Sequence, residues 1–102
     1  MATLSNQGHE IARKTQTFTA PNNYEHDLQY KRIEWSFRSN GKCLRKITYQ
    51  YSFDGMITPK GNTGWKITGT WKKVLDQGNL RELSQSWLDK PVANTTKELI
   101  IH

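Results

Sequence analysis

The sequence predicts a mostly β domain of the α+β class, built on an antiparallel meander sheet of about five strands with one short helix near residues 79–90. Two neighbouring runs within 32–53 alternate apolar and polar side chains with period two, which is typical of paired β-strands. Asn40 and Gly41 lie between these runs, where a hairpin turn is expected. The length of 102 residues is that of one domain.

Aromatic residues have to supply much of the core. Leu, Ile, Val and Phe make up only 20 of the 102 residues, a fraction at the edge of the range seen in disordered chains. Four Trp and four Tyr change this expectation, because each large aromatic side chain can bury roughly 150–250 Å². We therefore expect a flexible N-terminus at residues 1–8 and a single folded β-rich domain at residues 9–102.

The first elements are a strand and a loop. Residues 9–19 contain β-branched side chains with weak alternation, which favours a strand, and the Pro and Asn content of residues 20–27 indicates a loop. The alternation then becomes clear in the next two runs. Their apolar row consists of Ile33, Trp35, Phe37, Cys43, Ile47, Tyr49, Tyr51 and Phe53.

The register of this hairpin follows from the alternation. A two-residue loop at the Asn-Gly pair would place the apolar row of one strand opposite the polar row of the other. A three-residue loop, Ser39–Gly41, with its glycine in the left-handed conformation, instead pairs Phe37 with Cys43. It also places Glu34 opposite Lys46, a favourable cross-strand pair of opposite charge. Because a one-residue slip exchanges the two faces of a strand, the sequence predicts the three-residue loop.

The rest of the chain contains a third strand of the sheet, an ambiguous segment and a closing strand. Trp65, Ile67 and Trp71 continue the apolar alternation, and residues 95–102 predict the last strand. Between them, apolar side chains in 79–90 follow a helical spacing. A hairpin turn at residues 77–79 would instead make this segment a fourth strand, and the alternative fold is then an all-β closed meander barrel.

Positive charge is concentrated in the middle of the chain. The net charge is +6, and residues 31–73 hold ten cations and two acids, which gives this segment +8 and the remainder −2. An exposed aromatic face would exceed the few hundred Å² of apolar patch that soluble monomers tolerate. The aromatic row is therefore expected to form the core. The polar row then carries the candidate binding residues Arg32, Arg38, Lys42, Lys46, Lys66 and Lys72.

This pattern predicts a small non-catalytic binding protein whose basic sheet face contacts a polyanion. Lys and Arg among hydroxyl and amide side chains suit the nucleic-acid backbone, with weak sequence preference. An acidic protein partner of an adaptor or inhibitor is the alternative, and a closed barrel would offer an aromatic-lined pocket for a small ligand. A wet face of an antiparallel sheet also carries such residues without any partner.

Other classes of function have little support in the sequence. His9, His26 and His102 have no metal-ligand spacing, and no Gly-rich phosphate loop is present, so we expect no enzyme, cofactor or metal site. Cys43 is the single cysteine, which excludes an internal disulfide and is best explained as a small buried hydrophobe. Residues 1–10 lack the apolar segment of a secretory signal. No run is long enough for a membrane span. The expected location is cytoplasmic.

Overall fold

The computed structural model of this chain describes residues 4–21, 27–53, 55–71 and 87–102. These ranges form an antiparallel sheet, so the predicted mostly β class is confirmed. Three of its strands are long and follow one another in the chain. A 3-10 turn and seven strands are described: Leu4–Gln7, then β1 (Glu10–Thr19), β2 (Leu28–Arg38), β3 (Lys42–Phe53), β4 (Met56–Ile57), β5 (Gly61–Asn62), β6 (Lys66–Thr70) and β7 (Thr95–Ile101).

The sheet is open. Its strand order is β4-β3-β2-β1-β7, and β5 and β6 pair with further parts of β3. The described strands do not close on themselves, so the alternative of a closed meander barrel is wrong for this part of the chain. The molecule is thin, with extents of 46 × 34 × 18 Å.

The predicted helix near residues 79–90 falls largely on residues that the structure does not describe. Residues 79–86 lie outside the described ranges. Trp87 and Leu88 have helical backbone, and a turn and a bend follow at Asp89 and Lys90. The described part of the predicted helix is thus less than one full turn.

The β2–β3 hairpin has the predicted register. Phe37 lies opposite Cys43 and Glu34 opposite Lys46, so β2 and β3 are joined by the three-residue loop. Gly41 has a φ of 88°, a left-handed conformation that glycine adopts without steric cost. The Gly41 N–H donates to the Arg38 carbonyl oxygen at 3.0 Å. The alternation of the sequence therefore predicted both the loop length and the glycine conformation correctly.

The pairings assign each strand residue to one of two faces, because residues directly opposite each other project to the same side of a sheet. We call these the aromatic face and the polar face. The aromatic face carries Ala12, Lys14, Gln16, Phe18, Lys31, Ile33, Trp35, Phe37, Cys43, Arg45, Ile47, Tyr49, Tyr51, Phe53, Lys66, Lys97, Leu99 and Ile101. The polar face carries Arg13, Thr15, Thr17, Arg32, Glu34, Ser36, Arg38, Lys42, Leu44, Lys46, Thr48, Ile67, Thr96, Glu98 and Ile100.

A β-bulge in β6 changes the faces of this strand. Cys43 lies opposite Gly69, but the next residue, Leu44, lies opposite Ile67. Thr68 is the extra residue, and its hydroxyl donates a hydrogen bond to the Cys43 carbonyl oxygen at 3.2 Å. An extra residue in one strand reverses the faces of all residues beyond it.

The bulge overturns the predicted row of Trp65, Ile67 and Trp71 on the aromatic face. Ile67 belongs to the polar face, and the Trp65 ring lies 5.1 Å from the guanidinium of Arg13, another residue of that face. Lys66, which the sequence places on the polar row, lies opposite an aromatic-face residue instead. The predicted alternation is therefore wrong across β6.

The most buried part of the described residues surrounds the β2–β3 turn. Leu44 and Ser36 are fully buried, and Trp71 and Arg38 are each 5% exposed. The Trp71 indole N–H donates to the Arg38 carbonyl oxygen at 2.8 Å. Most other residues of the aromatic face, including Trp35, are half-buried. The core therefore lies at one end of the sheet instead of running along the whole aromatic row.

Candidate polyanion-binding surface

The structure does not bring the six sequence-predicted cations together on one exposed surface. Arg38 is buried, and its guanidinium donates to the Gln7 carbonyl oxygen at 3.4 Å, to the Gly8 carbonyl oxygen, and to the Ser36 hydroxyl at 3.1 Å. These bonds tie residues 7 and 8, part of the predicted flexible N-terminus, to β2. Arg38 therefore stabilises the fold through hydrogen bonds within the protein.

The other five predicted residues are divided between the faces. Arg32, Lys42 and Lys46 lie on the polar face as expected, and the first two are exposed. Lys66 is exposed on the aromatic face. Lys72 lies outside the described residues. The predicted site is thus neither confirmed as a unit nor positioned on a single face.

Carboxylates neutralise the centre of the polar face. Glu34 accepts from Arg13 at 3.2 Å and lies 3.7 Å from the Lys46 ammonium. Glu10 forms a second ion pair with Arg13 at 2.8 Å. The Trp65 ring covers both cations, at 5.1 Å from Arg13 and 5.0 Å from Lys46. Because carboxylates lie beside Arg13 and Lys46, these two cations attract an external anion less strongly than unpaired cations would.

Glu10 links this network to stability at acid pH. Burial raises the pKa of its carboxyl, but hydrogen bonds from Ser36, His102 and Arg13 outweigh that effect, and the net pKa lies below the ordinary value. A lowered pKa contributes stability above the unfolded-state pKa, and this stability is lost as pH falls through the folded-state value.

We therefore expect thermal stability to decline as the pH falls below the ordinary pKa of a glutamate. The Glu10→Gln variant, which cannot titrate at this position, should show a smaller decline over the same pH interval. Thermal unfolding followed by circular dichroism across a pH series measures both slopes. Equal slopes for the parent protein and the variant would contradict the role assigned to Glu10.

The polar face contains an open depression of about 430 Å³. Charged and hydroxyl side chains dominate its lining: it is formed by Arg13, Thr15, Thr17, Arg32, Glu34, Thr96, Lys97, Glu98 and Ile100. This lining differs from the aromatic pocket expected for a barrel. Trp71 is buried, and the Trp65 ring lies over the polar face. This depression therefore does not match the pocket of the small-ligand hypothesis.

The aromatic face has the more one-sided charge. The described strands contain three acids, Glu10, Glu34 and Glu98, and the pairings and contacts place all three on the polar face. Five cations lie on the aromatic face: Lys14, Lys31, Arg45, Lys66 and Lys97. Among the described strand residues, the aromatic face is therefore positively charged without a compensating carboxylate.

Arg45 and Lys66 are the most accessible part of this charge. They lie directly opposite each other on β3 and β6, and both are exposed. No carboxylate of the described residues lies within ion-pair distance of either one. Like charges in opposite positions of a strand pair repel each other. A bound anion would relieve this repulsion.

Lys14 and Lys97 are held by aromatic and backbone groups. The Lys14 ammonium lies 4.5 Å from the Trp35 ring centre and 4.7 Å from that of Trp87. Burial lowers the pKa of Lys14 from its ordinary value; Cys43 opposes this shift and Lys97 adds to it. The Lys97 ammonium donates to the Trp87 carbonyl oxygen at 3.1 Å. These two lysines fix the residues around Trp87 on the aromatic face.

A row of rings follows β3 on the same face. The ring centres of Tyr49 and Tyr51 are 5.6 Å apart, and those of Tyr51 and Phe53 are 6.3 Å apart. Tyr51 is 38% exposed and Phe53 58% exposed. The sequence alternation correctly placed these residues on one face. The expectation that all of them are buried in the core is wrong for Tyr51 and Phe53.

The described residues contain no group of three or more His, Cys, Asp or Glu side chains that could hold a metal ion. Burial raises the pKa of the Cys43 thiol, with smaller opposing effects from Thr68, Lys14 and Arg45. Within the described ranges, no helix is long and apolar enough to cross a membrane.

Comparisons with known proteins add no further assignment. The chain matches no protein-family model, and it matches neither a curated protein sequence nor a solved structure. A functional assignment therefore depends on the surfaces themselves.

Proposed function

We propose that this chain is a small non-catalytic binding protein that contacts the phosphate backbone of a nucleic acid. The observation that carries the proposal is the positive charge of the aromatic face, which holds no carboxylate among the described strand residues, with Arg45 and Lys66 exposed opposite each other. Phosphate contacts need accessible cations whose charge is not already neutralised. The exposed pair on β3 and β6 meets this requirement, whereas Lys46 on the polar face is paired with Glu34.

The net charge of the chain supports the same ligand class. A value of +6 on 102 residues favours attraction to polyanions over a wide range of orientations. Neutralisation of phosphates releases bound counterions, and affinity then falls steeply as salt increases. We expect this salt dependence, with weak preference among base sequences.

An acidic protein partner remains the second candidate because of a particular observation. Phe53, Met56 and Ile57 are 58%, 75% and 65% exposed at one end of the sheet. Exposed aromatic and Met side chains are typical of protein interfaces. If nucleic acid does not bind even at low salt, affinity capture with acidic proteins as competitors tests this alternative.

The first test is fluorescence anisotropy with labelled DNA and RNA at salt concentrations between roughly 50 and 200 mM. The Arg45→Glu/Lys66→Glu variant should lose most of its affinity. The Arg32→Glu/Lys42→Glu variant is the matched control, because it makes the same change in net charge through exposed residues of the polar face. Equal losses in both variants would mean that total charge, and not the aromatic face, determines binding.

The single variant Arg45→Glu separates binding from stability. It places a carboxylate opposite Lys66, and a cross-strand pair of opposite charge is favourable by about 0.2–1 kcal/mol. We expect a small increase in the free energy of unfolding together with weaker nucleic-acid binding. Urea unfolding and anisotropy on the same preparation provide both quantities. Loss of stability in this variant would contradict the assigned pairing of Arg45 with Lys66.

A further inference from the structure

We infer that the ligand is a single strand, whose bases stack on Tyr51 and Phe53, the exposed members of the ring row Tyr49, Tyr51 and Phe53, while its phosphates contact the cations of the same face. This inference rests on the proposed function and specifies its ligand. Proteins that bind single strands combine exposed aromatic rings with a positive surface that follows the backbone. Both features occur here on one side of β3.

The first argument is the spacing of the rings. Side chains two residues apart on a strand are separated by about 6.6 Å, and the ring centres are 5.6 and 6.3 Å apart. Stacked bases are separated by about 3.4 Å. The ring row therefore matches successive bases of an extended strand, in which neighbouring bases no longer stack on each other.

The second argument is accessibility. Tyr51 and Phe53 expose 38% and 58% of their surface, and Met56, opposite Phe53 on β4, is 75% exposed. A ring can stack on a base only if one of its faces is open to solvent. The bases of a duplex are already stacked and paired, so their faces are closed to such rings. A single strand is therefore the form of nucleic acid that fits this surface.

The third argument is the position of the charges. Lys31 lies directly opposite Tyr49 on β2, next to the ring row. Along the same side of β3, Arg45 precedes the rings, and Lys66 lies opposite Arg45. The cations therefore flank the rings on one face of the sheet, with Lys31 on β2, Arg45 on β3 and Lys66 on β6. The carboxylates of Glu34 and Glu98 lie on the other face.

The test compares a labelled mixed-sequence single strand with its duplex, bound to the parent protein and to the Tyr51→Leu/Phe53→Leu variant. Leucine keeps an apolar side chain but removes the ring face. We expect the parent to prefer the single strand, and the variant to bind that strand at least about tenfold more weakly. The Tyr51→Phe/Phe53→Tyr variant keeps both rings, and it should bind like the parent.

The outcomes distinguish this inference from the proposed function. Preference for duplex, or unchanged single-strand affinity in the leucine variant, would overturn the inference. If Arg45→Glu/Lys66→Glu still abolished binding in that case, the proposed function would stand without base stacking. Absence of binding by the parent at low salt would overturn the proposed function as well. Circular dichroism of each variant verifies that the exposed substitutions leave the sheet folded.

Discussion

Replacing Trp71 with alanine is expected to lower the free energy of unfolding by about 3–5 kcal/mol, the range for truncation of a large buried aromatic side chain. Trp71 is 5% exposed. Its indole N–H donates to the Arg38 carbonyl oxygen at 2.8 Å, and its backbone N–H donates to the Gly41 carbonyl oxygen at 3.1 Å. The side chain therefore joins the segment after β6 to the β2–β3 turn.

Two further variants identify the source of this stability. Trp71→Phe keeps most of the apolar area and removes the indole donor, so it should lose about 1 kcal/mol from the hydrogen bond in addition to the lost volume. Trp35→Ala is the matched control, since this half-buried tryptophan should lose less than Trp71 does. Urea unfolding measures all three. A greater loss for Trp35 than for Trp71 would show that the core lies along the aromatic face, as the sequence predicted.

The second large effect is expected at Arg38. Its guanidinium bonds to the Gln7 and Gly8 carbonyl oxygens and to the Ser36 hydroxyl. Arg38→Ala leaves these acceptors without this donor, and each buried acceptor left unsatisfied costs about 1–3 kcal/mol. After partial access of water, we expect a total loss of about 3 kcal/mol.

Arg32→Ala is the control for this prediction. It removes the same residue type from the same strand, but Arg32 is exposed, so its removal should change the free energy of unfolding by less than about 0.5 kcal/mol. Arg38→Lys keeps the charge without the planar donor fork and should recover only part of the loss. A near-neutral Arg38→Ala in urea unfolding would refute the structural role and return Arg38 to the candidate binding residues.

The burial of Arg38 also determines how a charge-reversal experiment on the sequence-predicted binding residues is interpreted. Reversal of charge at Arg38, Lys42 and Lys46 would be harmless to stability if all three were solvated cations. Arg38 is 5% exposed and Lys46 lies 3.7 Å from Glu34, so the triple variant should unfold more readily. Loss of binding by that variant would then not identify a binding surface.

The parts of the fold that the sequence predicted are local ones. Alternation in β2 and β3 determines which side chains share a face, and the short Ser39–Gly41 connection leaves few registers to choose among. One of them pairs apolar with apolar residues and Glu34 with Lys46, and this is the register observed. Period-two patterns and turn chemistry act over a few residues, so a single sequence contains enough information to place them.

The features that the sequence did not reveal depend on distant contacts or on one extra residue. The alternation does not show the bulge at Thr68, although a glycine inside a strand, such as Gly69, often marks one, and this bulge exchanges the faces of Lys66 and Ile67. Arg38 follows the polar alternation, and its burial results from the contact with Gln7 and Gly8, about thirty residues earlier. Long-range packing of this kind overrides the local pattern.

The net charge of each face of the sheet could not be predicted from the amino-acid composition either. The sum over residues 31–73 locates positive charge in the chain, but it does not say which side of the sheet each acid occupies. Glu10 lies opposite Arg38 of β2 and pairs with Arg13, and Glu98 of β7 lies opposite Thr15 of β1, so both acids belong to the polar face. The candidate binding surface therefore lies on the aromatic face, which the sequence predicted to form the core.

The pairing of β1 with β7 bears on how the chain folds during its synthesis. Ala12 lies opposite Ile101, so these partners leave the ribosome 89 residues apart, whereas the β1–β2–β3 meander can form as soon as β3 emerges. Until β7 follows, one edge of β1 has unsatisfied backbone donors and acceptors, which invite pairing with other nascent chains. Slow translation between residues 53 and 95 would prolong this vulnerable interval, and a chaperone that shields strand edges would be most useful within it.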